Sequence, residues 1–216
     1  RSKLIDLLKR HGQIDRSLEH YLAMGDAYYQ LAQVDKARET YQDALKLTSR
    51  ASDESWRPQI LRLMADIDMQ RLDWKRALST YRELRQLDPE DERTAITLVD
   101  LHYRIGQNTE AIQTLDKYLI HLVRSGRGAK VIGILEDMVS QRPTDSNLVD
   151  RLSRLYIQQK RIGDAISLLD KLGESQLEAG HAEHAVNTIE KILQLNPPNA
   201  DSYQQLLSQL KRQLGG

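Results

Sequence analysis

Few side chains in the sequence stand at spacings that could support catalysis or metal binding. His181 and His184 flank Glu183, and residues three positions apart in a helix lie close enough to share a metal ion. A metal site normally needs three or four ligands, however, and the sequence has no cysteine to supply a thiolate. It also lacks a glycine-rich phosphate loop, a G-x-S-x-G motif and an H-E-x-x-H motif. We therefore predict no metal site, no cofactor and no catalytic residue, and a protein that is not an enzyme.

Three aspartates offer a different kind of chemistry, the binding of a basic group. Each is followed three positions later by a large apolar or aromatic residue, in the pairs Asp26 with Tyr29, Asp66 with Met69, and Asp100 with Tyr103. Because residues three apart are neighbours on a helix, each pair would present a carboxylate beside an apolar group. The alternative is that these aspartates only solvate exposed helix faces or pair with nearby arginines, among them Arg62, Arg93 and Arg104. The pair Asp66 and Asp68 is interpreted in the same way, as ordinary carboxylates on an exposed helix.

The composition excludes several classes of protein. The 216 residues contain 31 Lys and Arg against 31 Asp and Glu, so a formal charge of zero gives no reason to expect nucleic acid as a partner. The longest apolar stretches, such as residues 131–135, are far shorter than the roughly 20 residues of a membrane span. The sequence opens at Arg1 without Met or a signal peptide, and it has no cysteine. We therefore expect a cytoplasmic fragment of a longer chain.

A pattern of apolar and small residues recurs along the chain and predicts helices. Its first copy consists of Tyr21, Met24, Gly25, Tyr28, Ala37, Tyr41 and Ala44. Its second copy consists of Leu61, Met64, Ala65, Ala77, Tyr81, Leu84 and Pro89, and a looser third copy of Ala95, Leu98, Gly106, Ala111 and Leu115. Spacings of three, four and seven place such residues on one stripe of a helix. Each copy therefore predicts two short helices that meet at a turn, with a small alanine where they approach each other.

This pattern resembles the tetratricopeptide repeat. The resemblance is best over residues 18–51, good over 58–91, where Asp68 replaces the expected Tyr, and looser over 92–125. Val131 and Ala165, like Ala77 and Ala111, are 34 residues apart, which is the length of that repeat. The resemblance implies an all-α fold, an α-α superhelix of stacked antiparallel helix pairs, and a role in binding proteins or peptides.

The second half of the chain departs from a plain 34-residue array. Residues 111–143 align without gaps on residues 165–197, and the offset of 54 equals 34 plus 20. We interpret this as a long helix, 108–124 or 162–178, that closes one pair and opens the next. Gly126 and Gly180 then mark the turn to a third helix, and Gly12 suggests a similar group at the start of the chain. We thus predict about 12 helices, some grouped in threes.

The predicted helices form a single domain over residues 1–216, with a possible hinge at the longer connection 49–57. The alternative architecture is a three-helix solenoid of armadillo or HEAT type.

The resemblance also implies where a partner binds, since first helices line the concave face in that family. The three aspartates would then form a row with roughly 10 Å between neighbours, suited to a basic peptide. The predicted site consists of Asp26, Tyr29, Arg62, Asp66, Met69, Asp100, Tyr103 and Arg104. We expect a protein or peptide partner, no nucleic acid and no membrane span. The alternative function is a structural spacer or a self-association arm of a larger protein. As a self-association arm, the chain would form a homo-oligomer.

Overall fold

A computed structural model describes residues 2–214 and shows an all-α chain. In these residues there are twelve α-helices, no β-strand and one short 3-10 turn, Thr48–Arg50. The helices are α1 (Ser2–Arg10), α2 (Ile14–Gln30), α3 (Val34–Leu47), α4 (Trp56–Gln70), α5 (Trp74–Leu87), α6 (Glu92–Arg104), α7 (Asn108–Arg124), α8 (Lys130–Gln141), α9 (Ser146–Gln158), α10 (Ile162–Glu178), α11 (Ala182–Gln194) and α12 (Ala200–Leu214). The fold is an α-α superhelix of stacked antiparallel helices, as the sequence predicts, and the number of helices is confirmed.

The helices fall into groups that are set by one repeated turn. After α6, the N–H of Gly106 donates to the carbonyl of Tyr103 at 3.0 Å, and the N–H of Gln107 donates to that of His102 at 2.9 Å. This pair of bonds is the Schellman ending, which needs a left-handed residue after the helix. Across residues 2–214, the same two bonds and a positive φ recur after α1, α2, α4, α6, α7, α9 and α10.

The turn confirms the prediction of groups of three. It joins α1 to α3, α6 to α8 and α9 to α11 into three-helix groups, and α4 to α5 into a pair. The middle helices α7 and α10 have the predicted bounds, 108–124 and 162–178. Pro89, Pro143 and Pro197 lie in the links between groups, where a helical N–H is not required.

At three of these turns a residue other than glycine holds the left-handed conformation. They are Ala32, Leu72 and Lys160, with φ of 56°, 58° and 61°. A left-handed backbone costs a residue with a Cβ about 1–2 kcal/mol. We therefore expect Leu72→Gly, at a side chain that is 65% exposed, to raise the free energy of unfolding by about 1 kcal/mol. Urea denaturation of this variant beside Gly106→Ala checks the prediction, because Gly106→Ala should lower the stability by a similar amount.

Small residues near the start of the helices that follow these turns allow close packing. Ala37, Ala77, Ala111, Ala165 and Ala185 are all 0% exposed. A larger side chain at any of these places would push neighbouring helices apart, since protein interiors are packed to crystal density. The burial of Ala37, Ala77, Ala111 and Ala165 agrees with their interpretation as points of close approach.

The chain divides into two compact units, Arg1–Tyr118 and Leu119–Gly216. In the first unit α4 faces two cores: Ile60, Met64 and Ile67 pack with α2 and α3, while Leu61 and Ala65 pack with α5 and α6. In the second unit α12 covers α11 with an apolar face and exposes a row of polar side chains, Gln204, Gln205, Ser208, Gln209 and Arg212. The expectation of a single domain over residues 1–216 stays a prediction.

Candidate functional site

A cleft on the first unit brings together three of the predicted site residues. Asp26 and Tyr29 reach it from α2, and Asp66 from α4. The cleft has a volume of about 140 Å³, and Tyr41, Leu63, Ile67 and Gln70 complete its lining. Carboxylates and apolar side chains therefore line the same small recess.

Hydrogen bonds hold two of the polar groups of the cleft in place. The hydroxyl of Tyr41 donates to Asp26 Oδ1 at 2.5 Å, and the hydroxyl of Tyr29 donates to Gln70 Oε1. Tyr41 is only 2% exposed, and both its burial and its bond to Asp26 raise the pKa of its hydroxyl above the ordinary value. Tyr41 therefore remains a donor that fixes the Asp26 carboxylate, a role that the sequence pattern did not reveal.

Asp66 also lines a second, smaller cleft. This recess of about 90 Å³ lies between α4, α5 and α6, and its lining consists of Arg62, Asp66, Tyr81, Leu84, Asp91, Arg93 and Thr94. Arg62 lies 3.7 Å from Asp91 and makes its ion pair there. The suggestion that Asp66 pairs with Arg62 is therefore not what the structure shows.

The remaining predicted residues lie outside both clefts. Met69 is half-buried against the core formed by α4, α5 and α6. Asp100 accepts a hydrogen bond of 2.5 Å from Arg104, whose guanidinium lies 4.7 Å from the centre of the Trp74 ring. Tyr103 is half-buried on the same helix. The site as a whole stays a prediction, and the clefts contain only its Asp26, Tyr29, Arg62 and Asp66.

The interpretation of Asp68 as an exposed carboxylate is wrong. Its side chain is 1% exposed, and Arg38 of α3 donates to both of its oxygens, from Nε at 2.6 Å and from Nη2 at 2.8 Å. An ion pair buried in this way joins α3 to α4. The only signal of this burial in the sequence is that Asp68 stands where the repeat pattern has a Tyr.

Asp15 fastens the long connection between α3 and α4. Its carboxylate accepts hydrogen bonds from the backbone N–H groups of Ser52 and Asp53, at 3.2 Å and 3.3 Å, and from the indole of Trp56 at 2.9 Å. These bonds, with that from Ser52 the largest contribution, lower the pKa of Asp15. The connection is thus tied to α2, and its role as a hinge at 49–57 stays a prediction.

The lowered pKa of Asp15 predicts a dependence of stability on pH. Its contribution is present above the ordinary value of 3.8 and is lost as the pH falls through the lower value of the folded state. We expect Asp15→Asn to lower the urea midpoint at about pH 6 and to differ less from wild type at about pH 2. Asp6→Asn, on the exposed face of α1, serves as the control and should show no such convergence.

The structure also shows the surroundings of the histidine pair and the character of the helices, which concern the expectations about a metal site and a membrane span. The rings of His181 and His184 meet edge to face with centroids 5.6 Å apart, and both side chains are exposed. Among residues 2–214, no group of three or more potential metal ligands lies together. No helix in that part of the chain is both long enough and apolar enough to pass through a bilayer.

Two family models match the chain. Both describe the tetratricopeptide repeat, and they cover residues 18–50 and residues 68–121. Both matched segments of the chain are tetratricopeptide repeats. The matched segments contain most of α2 with α3, and α5 with α6 and most of α7. Of the cleft residues, Asp26, Tyr29 and Tyr41 lie within the matched segments, whereas Leu63, Asp66 and Ile67 lie between them. Proteins of this family are generally interaction scaffolds and not enzymes.

Several solved structures are similar to this tetratricopeptide repeat chain. A MamA protein is 15% identical, with 82% of this chain and 91% of that chain covered and a TM-score of 0.48. A tetratricopeptide repeat protein from Parabacteroides merdae is 16% identical, with 97% and 96% covered and a TM-score of 0.40. YrrB, described as having an unusual peptide-binding site, is 12% identical, with 86% and 93% covered and a TM-score of 0.40. No curated protein matches the sequence.

Proposed function

We propose that the chain is a scaffold that binds a basic segment of a protein or peptide on the concave face of its first unit. The face consists of the first helices of the repeats, α2, α4 and α6, and it carries Asp26, Asp66 and Asp100. The observation that carries the proposal is the cleft in which Asp26 and Asp66 stand beside the apolar side chains of Leu63 and Ile67.

The chemistry of the cleft suits a cation with an apolar stem. Lysine and arginine side chains lay their methylene groups along apolar surface and keep the charge at a polar end. Two carboxylates that line one recess both attract a cation that enters it, so their contributions add. The mechanism needs neither a cofactor nor a reaction, and its electrostatic part should weaken as salt is added.

The test is a capture experiment with two variants of equal charge change. The wild-type chain, Asp66→Lys/Asp100→Lys and the control Glu39→Lys/Asp43→Lys are immobilised and exposed to lysate of the source organism. Glu39 and Asp43 are exposed on α3, a second helix, and line a different part of the surface. Asp26 is left unchanged because it accepts the hydrogen bond from buried Tyr41. Circular dichroism first establishes that all three chains are folded.

We expect proteins that bind the wild type and the control, that leave as salt is raised, and that fail to bind Asp66→Lys/Asp100→Lys. Mass spectrometry identifies them. A partner that binds this variant as well as the wild type contradicts the assignment of the concave face.

One observation favours the second function, self-association. Helix α1 buries Ile5 and Leu8 but leaves Leu4 and Leu7 42% and 52% exposed. Exposed apolar side chains that are neighbours on one helix are suited to contact with a second copy. Light scattering over a range of concentrations tests this: a dimer that Leu4→Gln/Leu7→Gln abolishes supports an arm, and a monomer throughout contradicts it.

A further inference from the structure

The cleft between α2 and α4 is lined by both apolar and polar side chains. Its lining includes the apolar side chains of Leu63 and Ile67 as well as the carboxylates of Asp26 and Asp66 and the amide of Gln70. Its volume of about 140 Å³ is well below the roughly 300–1,000 Å³ of a site for a drug-sized molecule. A recess of this size suits one long side chain and not a whole small ligand.

The polar groups of the cleft retain capacity to accept hydrogen bonds. Tyr41 occupies only Oδ1 of Asp26. Asp66 makes no hydrogen bond or ion pair with the part of the chain that the structure describes, although it lies within the electrostatic reach of Tyr81. An ionised carboxylate accepts through two oxygens, so the cleft offers acceptors to a group that brings several donors.

We propose that this cleft is a pocket for a single arginine side chain of the partner, an inference that rests on the proposed function and specifies its recognition step. A guanidinium carries five N–H donors in a plane and can donate to more than one acceptor, whereas a lysine ammonium is a point charge. Tyr29 lines the same cleft, and arginine stacks on aromatic rings more readily than lysine does. The methylene stem then lies along Leu63 and Ile67.

The pocket is tested with small peptides and not with the unknown partner. Acetyl-Ala-Ala-Arg-Ala-Ala-amide is titrated into the isotope-labelled chain, and amide chemical shifts are followed by nuclear magnetic resonance. The same peptide with citrulline or lysine in place of arginine provides the comparison, since citrulline keeps the shape of the side chain without the charge. We expect saturable shifts centred on Tyr29, Ile67 and Gln70 for the arginine peptide, weaker binding for lysine and none for citrulline.

Two variants with the same change of charge separate the pocket from general electrostatics. Asp66→Asn should lower the affinity for the arginine peptide about tenfold or more, as the loss of a charge-assisted hydrogen bond predicts. Asp6→Asn, at an exposed carboxylate on α1 outside the cleft, should leave the affinity for the peptide within a factor of about two, as expected for a screened surface charge. Leu63→Phe narrows the cleft without altering charge and should also abolish binding.

The proposal is overturned if the arginine peptide shifts no residue of the cleft, if the citrulline peptide binds equally well, or if Asp66→Asn and Asp6→Asn have the same effect on binding. Equal binding of the lysine peptide overturns the choice of arginine. The capture experiment tests the proposed function separately from the peptide titration. Capture that still depends on Asp66 and Asp100 while the peptide fails to bind removes the pocket and keeps the scaffold. If the peptide binds but capture depends on neither aspartate, the pocket is kept and the assignment of the concave face as the capture site is removed.

Discussion

Arg38→Met is expected to lower the free energy of unfolding by about 3–5 kcal/mol, because it leaves the Asp68 carboxylate buried without a counter-charge. Asp68 is 1% exposed, and both of its oxygens accept from the Arg38 guanidinium. Taking a lone carboxylate out of water is among the costliest changes in a protein interior. Urea denaturation of the purified variant, monitored by circular dichroism, measures the loss.

Two controls separate this effect from the loss of a large side chain. Arg71→Met makes the same chemical change at an exposed pair, where Arg71 contacts Asp35, and should cost no more than about 1 kcal/mol. Arg38→Met/Asp68→Leu removes both charges at once and should recover most of the lost stability, because no unpaired group remains. Equal costs for Arg38→Met and Arg71→Met would show that the buried pair contributes no more than a surface pair.

The helices could be predicted from the sequence because their signals are local. The period of apolar residues and the glycines at 12, 106, 126 and 180 define most of the helix ends, and α7 and α10 have the predicted bounds. The same turn at Ala32, Leu72 and Lys160 carries no such signal. There the packing of successive helices imposes the left-handed conformation on residues that do not favour it. The backbone conformation at these turns therefore follows from position in the repeat and not from residue type.

The contacts of the site could be predicted only in part, for the same reason. The pair of Asp100 with Arg104 lies within one helix turn and is visible in the sequence. Tyr41 meets Asp26 across 15 residues and Arg38 meets Asp68 across 30, and these contacts exist only after the helices have packed. Asp66 and Asp68 differ by two positions and therefore point to different sides of α4, one toward the clefts and one into the core.

Gly25→Ala should be the second severely destabilising change, with an expected loss of about 3 kcal/mol. A Cβ at this position would lie 2.3 Å from Cε1 and 2.7 Å from Cζ of Tyr41, far inside contact distance. The ring cannot move aside freely, because it is 2% exposed and its hydroxyl is bonded to Asp26. Overpacking of a rigid core group costs about 1–3 kcal/mol or more, which outweighs the roughly 0.5–1 kcal/mol that alanine gains over glycine in a helix.

Gly133→Ala is the matched control for that change. Gly133 lies within α8 with nothing within 4 Å of the place where its Cβ would stand, so the helix-forming gain should appear alone as about 0.5–1 kcal/mol of added stability. If the clash with the ring is the cause, Gly25→Ala should cost almost nothing in a Tyr41→Ala background. A loss that persists there would assign the effect to another contact of Gly25. Tyr41 also fixes the Asp26 carboxylate in the cleft. At a temperature where the Gly25→Ala variant stays folded, we therefore expect it to bind the arginine peptide more weakly than the wild type does.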